Sequence, residues 1–123
     1  AMQGSHFGIF PSYYEPWGYT PLEAGALGVS SVTTDLAGFG RYVCNECLQS
    51  NTPGIFVLKR LNKSDDDVGN QLVDVMYKFA NLSKEERIAN KMQARKTASM
   101  AEWKIFVNNY IEAHNLAAEK VYR

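Results

Sequence analysis

The sequence predicts an α/β fold in which a parallel sheet is followed by a helical tail. Three observations lead there. Short apolar or β-branched runs, Phe7-Gly8-Ile9-Phe10, Val29 to Thr34 and Gly54 to Leu58, alternate with stretches that read as helix or loop. Past Ser64 the apolar period becomes helical and stays so to the carboxy end. The 123 residues suffice for one hydrophobic core without disulfides or metals, and not for two.

Phe7 to Phe10, stopped by Pro11, suits a buried parallel strand. Pro21 to Leu27 reads as a helix ending at Gly28, and Val29 to Thr34 as the second strand. Asp35 to Gly40, with two glycines, reads as a loop; Arg41 to Leu48 as a short helix; Gly54 to Leu58 as the third strand. Val68, Leu72, Val75, Met76 and Phe79 share one helix face, opened by Ser64 and the acidic run Asp65 to Asp67. That run reads as a helix start rather than a metal site. Ser83 and Glu86 form a capping box for a helix through about Ala98, and Trp103, Phe106, Val107, Tyr110 and Ile111 stripe a last helix. Three strands make a thin sheet, so the expectation is a partial Rossmann-like sheet, the second half of a doubly wound domain. Residues 1–62 would form that half-domain and residues 63–123 the helices packed on it, one structural unit in all. The opening on Ala1 and Met2, close before a strand, adds the expectation of a fragment of a longer chain.

Thirteen basic and thirteen acidic residues cancel, which gives no electrostatic reason to expect nucleic acid or an anionic membrane as partner. Apolar runs are short and interrupted, none near the roughly 20 residues of a membrane span. Two cysteines without a visible export signal suggest a reducing, cytoplasmic setting. Cys44 and Cys47 form a CxxC, but a structural zinc needs four ligands and there is no second pair; ordinary helix cysteines are the simpler reading.

The stretch Phe10 to Glu23, FPSYYEPWGYTPLE, puts Tyr13, Tyr14, Trp17 and Tyr19, three prolines and two glutamates eight positions apart between a strand and a helix. Ligands of open α/β sheets bind outside the carboxyl ends of the strands, where this turn falls. Thr20 as N-cap, Pro21 at the first helical position and Glu23 three residues after the cap form a capping-box pattern. Such an end also presents backbone N–H groups and a partial positive charge to a phosphate in front of Gly18, Tyr19 and Thr20. Glu23 can then serve as cap or as partner of a ribose diol, and Glu15 can bind sugar hydroxyls.

Glu15-Pro16-Trp17-Gly18-Tyr19-Thr20-Pro21-Leu22-Glu23, preceded by Pro11-Ser12-Tyr13-Tyr14, resembles the paired-glutamate motif of retaining GT-B glycosyltransferases. More narrowly it is similar to glycogen synthases of the animal and fungal type. The likeness continues through Thr33-Thr34-Asp35-Leu36-Ala37-Gly38-Phe39-Gly40 and on to the tail around Trp103. The resemblance implies part of the carboxy-terminal GT-B domain of an enzyme that moves glucose from UDP-glucose to the 4-hydroxyl at the non-reducing end of glycogen, with retention. It implies Glu15 as the catalytic, donor-glucose residue, Trp17 and Gly18 as further sugar contacts, Tyr19 and Thr20 at the diphosphate, and Glu23 at the ribose. No metal or other cofactor is implied. The amino-terminal GT-B domain, the remaining phosphate-binding cations and the acceptor residues would lie elsewhere in a homo-oligomeric parent, so the chain alone is expected not to turn over.

Family members carry an arginine-rich tail helix that binds glucose 6-phosphate; here Arg87, Lys91, Arg95 and Lys96 share a face with two acids brought in beside them, which reads as a solvated face. Two rival readings remain. A glycoside hydrolase would use Glu15 and Glu23 as its carboxylate pair. A non-catalytic carbohydrate-binding or scaffold module would stack sugars on Tyr13, Tyr14, Trp17 and Tyr19.

Overall fold

The computed structural model describes residues 1–43 and 52–122. Strands β1 (Phe7–Ile9), β2 (Ser30–Thr34) and β3 (Ile55–Leu58) form one parallel sheet in the order β1-β2-β3. Phe7 lies beside Ser30 and Ile9 beside Val32, while Ser31 pairs with Ile55 and Thr34 with Leu58. Between the strands run α1 (Tyr19–Ala26) and α2 (Gly38–Val43), and after them α3 (Asp65–Ala80), α4 (Lys84–Ser99) and α5 (Trp103–Val121). A parallel sheet with helices on both faces and a helical tail is the expected class.

Successive residues of β3 face opposite layers, as the pleat requires. Phe56 and Leu58 join Val32 and the α3 residues Val68, Val75 and Phe79, with Leu72 half-buried beside them. Ile55 turns the other way, to a cluster with Phe39 of α2, Ala94 of α4 and Ala101. Each fully buried aliphatic or aromatic side chain of this kind contributes about 1.5–3 kcal/mol. Met76, predicted on the core face of α3, is 44% exposed instead. Period alone did not separate the centre of the stripe from its margin.

β1 departs from its expected burial. Among the described residues it pairs with β2 alone, and Ile9 is 40% exposed. Phe7 alone anchors it firmly, stacked on Phe79 at 4.3 Å and edge-on to Phe56 at 5.7 Å between ring centroids. An apolar run shows that a strand is attractive to a core; it does not show that both neighbours are present.

Two helices close their own amino ends. Ser64 Oγ accepts the Asp67 N–H at 3.1 Å and the Asp67 carboxylate accepts the Ser64 N–H at 3.2 Å; Ser83 and Glu86 repeat the exchange at 3.2 and 2.8 Å. The acidic run is therefore a helix start, and Ser64's side chain and then its backbone hold the Asp67 carboxyl below the usual aspartate range. Helix α2 begins at Gly38, inside the segment read as a loop; the rest of the helix expected to Leu48, with Cys44 and Cys47, lies outside the described residues.

Helix α4 fits tightly against α1 because small residues, Gly25, Ala94 and Ala98, line the contact. A Cβ on Gly25 of α1 would stand 3.1 Å from the Ala94 carbonyl. The fully buried Asn90 side chain accepts the Gly54 N–H at 3.0 Å and donates to the Glu86 carbonyl at 3.1 Å, so it pins α4 to the start of β3. On the outer side of α4, Arg87, Arg95 and Lys96 are exposed and Lys91 is half-buried. Helix α5 forms where its stripe predicts, yet none of its residues is buried, and Trp103, Tyr110 and Ile111 are 64, 55 and 54% exposed. Phe106 is the exception in part, half-buried against Trp17 and Tyr42.

Asn90→Ala should leave the buried Gly54 N–H without its acceptor and cost about 1–3 kcal/mol. Urea unfolding checks this: the midpoint should fall with little change in slope. An unchanged midpoint would mean that Asn90 does not fasten α4 to the sheet.

Candidate functional site

Chain leaving β1 is tied down by main-chain bonds before any side chain acts. Phe10 N–H donates to the Val32 carbonyl at 2.9 Å, which carries the pairing one residue past the strand. Glu15 then meets the turn after β2 as an isolated parallel bridge to Ala37: its N–H donates to the Leu36 carbonyl at 3.2 Å and its carbonyl accepts the Gly38 N–H at 3.1 Å. Phe39 N–H adds a bond to the Trp17 carbonyl at 2.7 Å. So close an approach needs glycine at 38, where a Cβ would stand only 2.2 Å from the Pro16 carbonyl oxygen.

Side chains finish the loop. Thr34 Oγ1 donates to the Ser12 carbonyl at 2.9 Å, and Ser12 Oγ donates to Glu15 Oε2 at 3.1 Å. The Glu15 carboxylate therefore has one oxygen engaged by Ser12, and the residue lines a cleft of about 530 Å³ with Phe10, Pro11, Ser12, Tyr14 and Thr20. This cleft lies at the carboxyl ends of the strands, where a parallel sheet places its ligands.

Helix α1 starts differently from the capping box expected of Thr20 and Glu23. Gly18, at φ 108°, occupies the cap in a left-handed conformation; helix begins at Tyr19, and no side chain caps it. The glycine turns the chain into the helix two residues early, so Thr20 already has helical backbone and cannot act as cap. Pro21 becomes the third helical residue, where its missing N–H would have had no intrahelical acceptor anyway. Left at the end are the first-turn N–H groups of Tyr19 and Thr20 and the positive end of the helix dipole.

Not all predicted site residues share one cavity. Glu15 and Thr20 line the cleft, with Gly18 buried beneath: its Cβ, if present, would stand 3.5 Å from Glu15 Oε2. Trp17 and Tyr19 line a second cavity of about 520 Å³, between the loop, α1 and α5. The Trp17 ring packs against Phe39, Tyr42 and Phe106 at 5.7–5.8 Å, so stacking on a sugar would have to displace core contacts. Glu23 is exposed on α1 and belongs to neither lining.

The sequence matches the protein-family model for glycogen synthase over residues 1–123. The chain belongs to the glycogen synthase family. It is 39% identical over 121 residues to a glycogen [starch] synthase of Neurospora crassa, 38% over 123 to isoform 1 of Saccharomyces cerevisiae and 36% over 121 to the liver protein of Mus musculus. Each alignment takes in 98% of this chain and 17% of the relative, so the chain spans about a sixth of the length of these glycogen synthases.

In this glycogen synthase segment the loop that lines the cleft is also held, at Tyr13, by a group that motif reading missed. Arg60, just past β3, is 9% exposed; its Nη2 donates to Asp65 Oδ1 at 2.7 Å and its guanidinium carbon lies 3.7 Å from the centroid of the Tyr13 ring. Tyr13 Oη donates to the other Asp65 oxygen at 2.8 Å. Asp35, at the end of β2, accepts the Arg60 and Leu61 N–H groups at 2.7 and 3.1 Å. The only sequence signal was position, each residue following a strand.

The hydrogen bond to Asp65, reinforced by that carboxylate's charge, pushes the Tyr13 phenol above the ordinary tyrosine range. Because the folded value is raised, the stabilising contribution is complete below the ordinary tyrosine pKa and disappears as pH rises through the raised one. An NMR titration of ring-labelled tyrosine should find Tyr13 ionising late in the native chain and earlier in Asp65→Ala. Identical titrations would show that the phenol does not feel Asp65.

Proposed function

We propose that this chain is the donor-binding segment of a longer glycogen synthase, which transfers glucose from UDP-glucose to the 4-hydroxyl at the non-reducing end of an α-1,4-glucan with retention. The observation that carries the reading is the placement of Glu15. In a chain of this family, its carboxylate opens on a cleft at the carboxyl ends of a parallel sheet, beside a helix end that no side chain caps.

On this reading the donor glucose sits against Glu15 and the backbone at Trp17 and Gly18. Its diphosphate lies before the N–H groups of Tyr19 and Thr20, and the ribose reaches Glu23 on the next turn of α1. The bond from the anomeric carbon to the diphosphate breaks as the acceptor oxygen bonds to that carbon on the same face. The departing phosphate oxygen takes the proton of the attacking hydroxyl, so neither a protein nucleophile nor a metal is needed. Preorganised donors lower the barrier by meeting the charge that develops on the leaving group. The cleft lining contains no cation, and a helix end is worth only about half a charge. The remaining countercharge and the acceptor site then belong to other parts of the polypeptide, including an amino-terminal GT-B domain. The segment by itself binds the donor weakly and does not turn over, and the working enzyme is a cytoplasmic homo-oligomer.

Assay of a full-length enzyme containing this segment tests the proposal through glycogen-dependent release of UDP from UDP-glucose, with ADP-glucose in a parallel lane. Glu15→Ala should lower that release by on the order of 100-fold or more, since a group matched to the transition state is removed. Release from neither donor, or release indifferent to glycogen and to Glu15, would sink the reading. Binding of glycogen without affinity for UDP would put a carbohydrate-binding module in its place.

A further inference from the structure

The Glu15 loop is held on one side by the turn after β2, through the main-chain and Thr34 bonds. On its other side the contact comes from beyond β3. There Tyr13 is 67% exposed, yet both its ring face and its hydroxyl are engaged. Arg60 is nearly buried, its carboxylate partner Asp65 sits in the first turn of α3, and its own backbone N–H is fixed by Asp35. A planar guanidinium suits this role: one edge donates to the carboxylate while the face lies on the aromatic ring. Next to Tyr13 along the chain is Ser12, whose hydroxyl donates to the Glu15 carboxylate.

We propose that Arg60 is a positioning residue for Glu15, with Asp65 and Tyr13 completing a latch that fixes residues 11–15 against the amino end of α3. The chain of contacts runs from Asp35 to Arg60, from Arg60 and Asp65 to Tyr13, and from the neighbouring Ser12 to the Glu15 carboxylate. Arg60 stays clear of the substrate in this role; it sets where the carboxylate stands. The consequence for catalysis rests on the glycogen synthase reading, whereas the latch does not.

The test uses a full-length enzyme containing this segment, with Arg60→Met, Arg60→Lys and Tyr13→Leu, and Tyr77→Leu as an exposed tyrosine outside the latch. Amide hydrogen exchange is followed in peptides covering residues 11–18 and, separately, β2, alongside kcat and KM for UDP-glucose. Arg60→Met and Tyr13→Leu should speed exchange in the loop by about tenfold or more while β2 stays protected, a local rather than global opening. Turnover should fall by roughly 10- to 100-fold, the scale of an ångström misplacement at a reacting group, mainly in kcat. Arg60→Lys, which keeps a cation over the ring, should recover part of both, and Tyr77→Leu should change neither. Unchanged loop exchange, or loop and β2 opening together, would overturn the latch; a loosened loop with undiminished kcat would overturn the positioning role. Because Tyr13 is exposed, its variant remains informative if Arg60→Met fails to fold. Absence of transfer by the unmutated enzyme would instead defeat the glycogen synthase reading, and loop exchange would still judge the latch.

Discussion

The two main-chain bonds at Glu15, its N–H to Leu36 and its carbonyl from Gly38, are the constraint on which the site depends. A loop leaving a strand has backbone groups that would otherwise turn to water, and no reason to hold one shape. By pairing Glu15 with the turn after β2, the fold satisfies those groups and lets the sheet's geometry set the position of a single side chain. Everything nearby accommodates the pairing. Gly38 makes room for the Pro16 carbonyl, Phe39 takes the Trp17 carbonyl, and Gly18 turns the chain into α1.

That constraint ties the cleft to the carboxyl ends of two adjacent strands, β1 and β2. β2 is central and fully buried, its five residues covered although four carry hydroxyl groups. Among the described residues β1 pairs with β2 alone, and the cleft lies beyond its carboxyl end, where a parallel sheet places its ligands. On its face β1 is held by Phe7, which stacks on Phe79. Above the sheet, loops after all three strands brace one another through Thr34, Asp35, Arg60 and Tyr13. The loop that carries the site is thus fastened by cross-ties from the turns after the neighbouring strands.

Much of this was legible in the sequence, for reasons that differ by element. Helices α3 and α4 announce themselves because capping is local: Ser64 with Asp67 and Ser83 with Glu86 need no distant partner. Gly54 to Leu58 reads correctly as a strand because an apolar run ahead of a polar break suits nothing else so short. Thr20 misled because the same local logic found a good cap, while a glycine two residues earlier could turn the chain first. The placement of β1 and the uncovered stripe of α5 depend on what lies alongside, which no period encodes. Arg60 was invisible for the same reason: its partners, Tyr13 in the loop after β1 and Asp65 in the first turn of α3, come together only in the fold.

The start of α1 carries the last step. Where α3 and α4 each spend a serine and a carboxylate on the amino end, α1 has neither, and no acid stands in its first turn. With glycine in the cap position this eight-residue helix gives up little, roughly a few tenths of a kcal/mol relative to a side-chain cap. Packing of Pro21, Ala24 and Gly25, all buried, makes that cost bearable. A side-chain cap at this end would occupy the N–H groups that the proposed diphosphate needs, and an acid in the first turn would repel it. On the glycogen synthase reading, then, the bond missing from α1 is supplied by the donor itself, so donor binding and completion of this helix end are the same event.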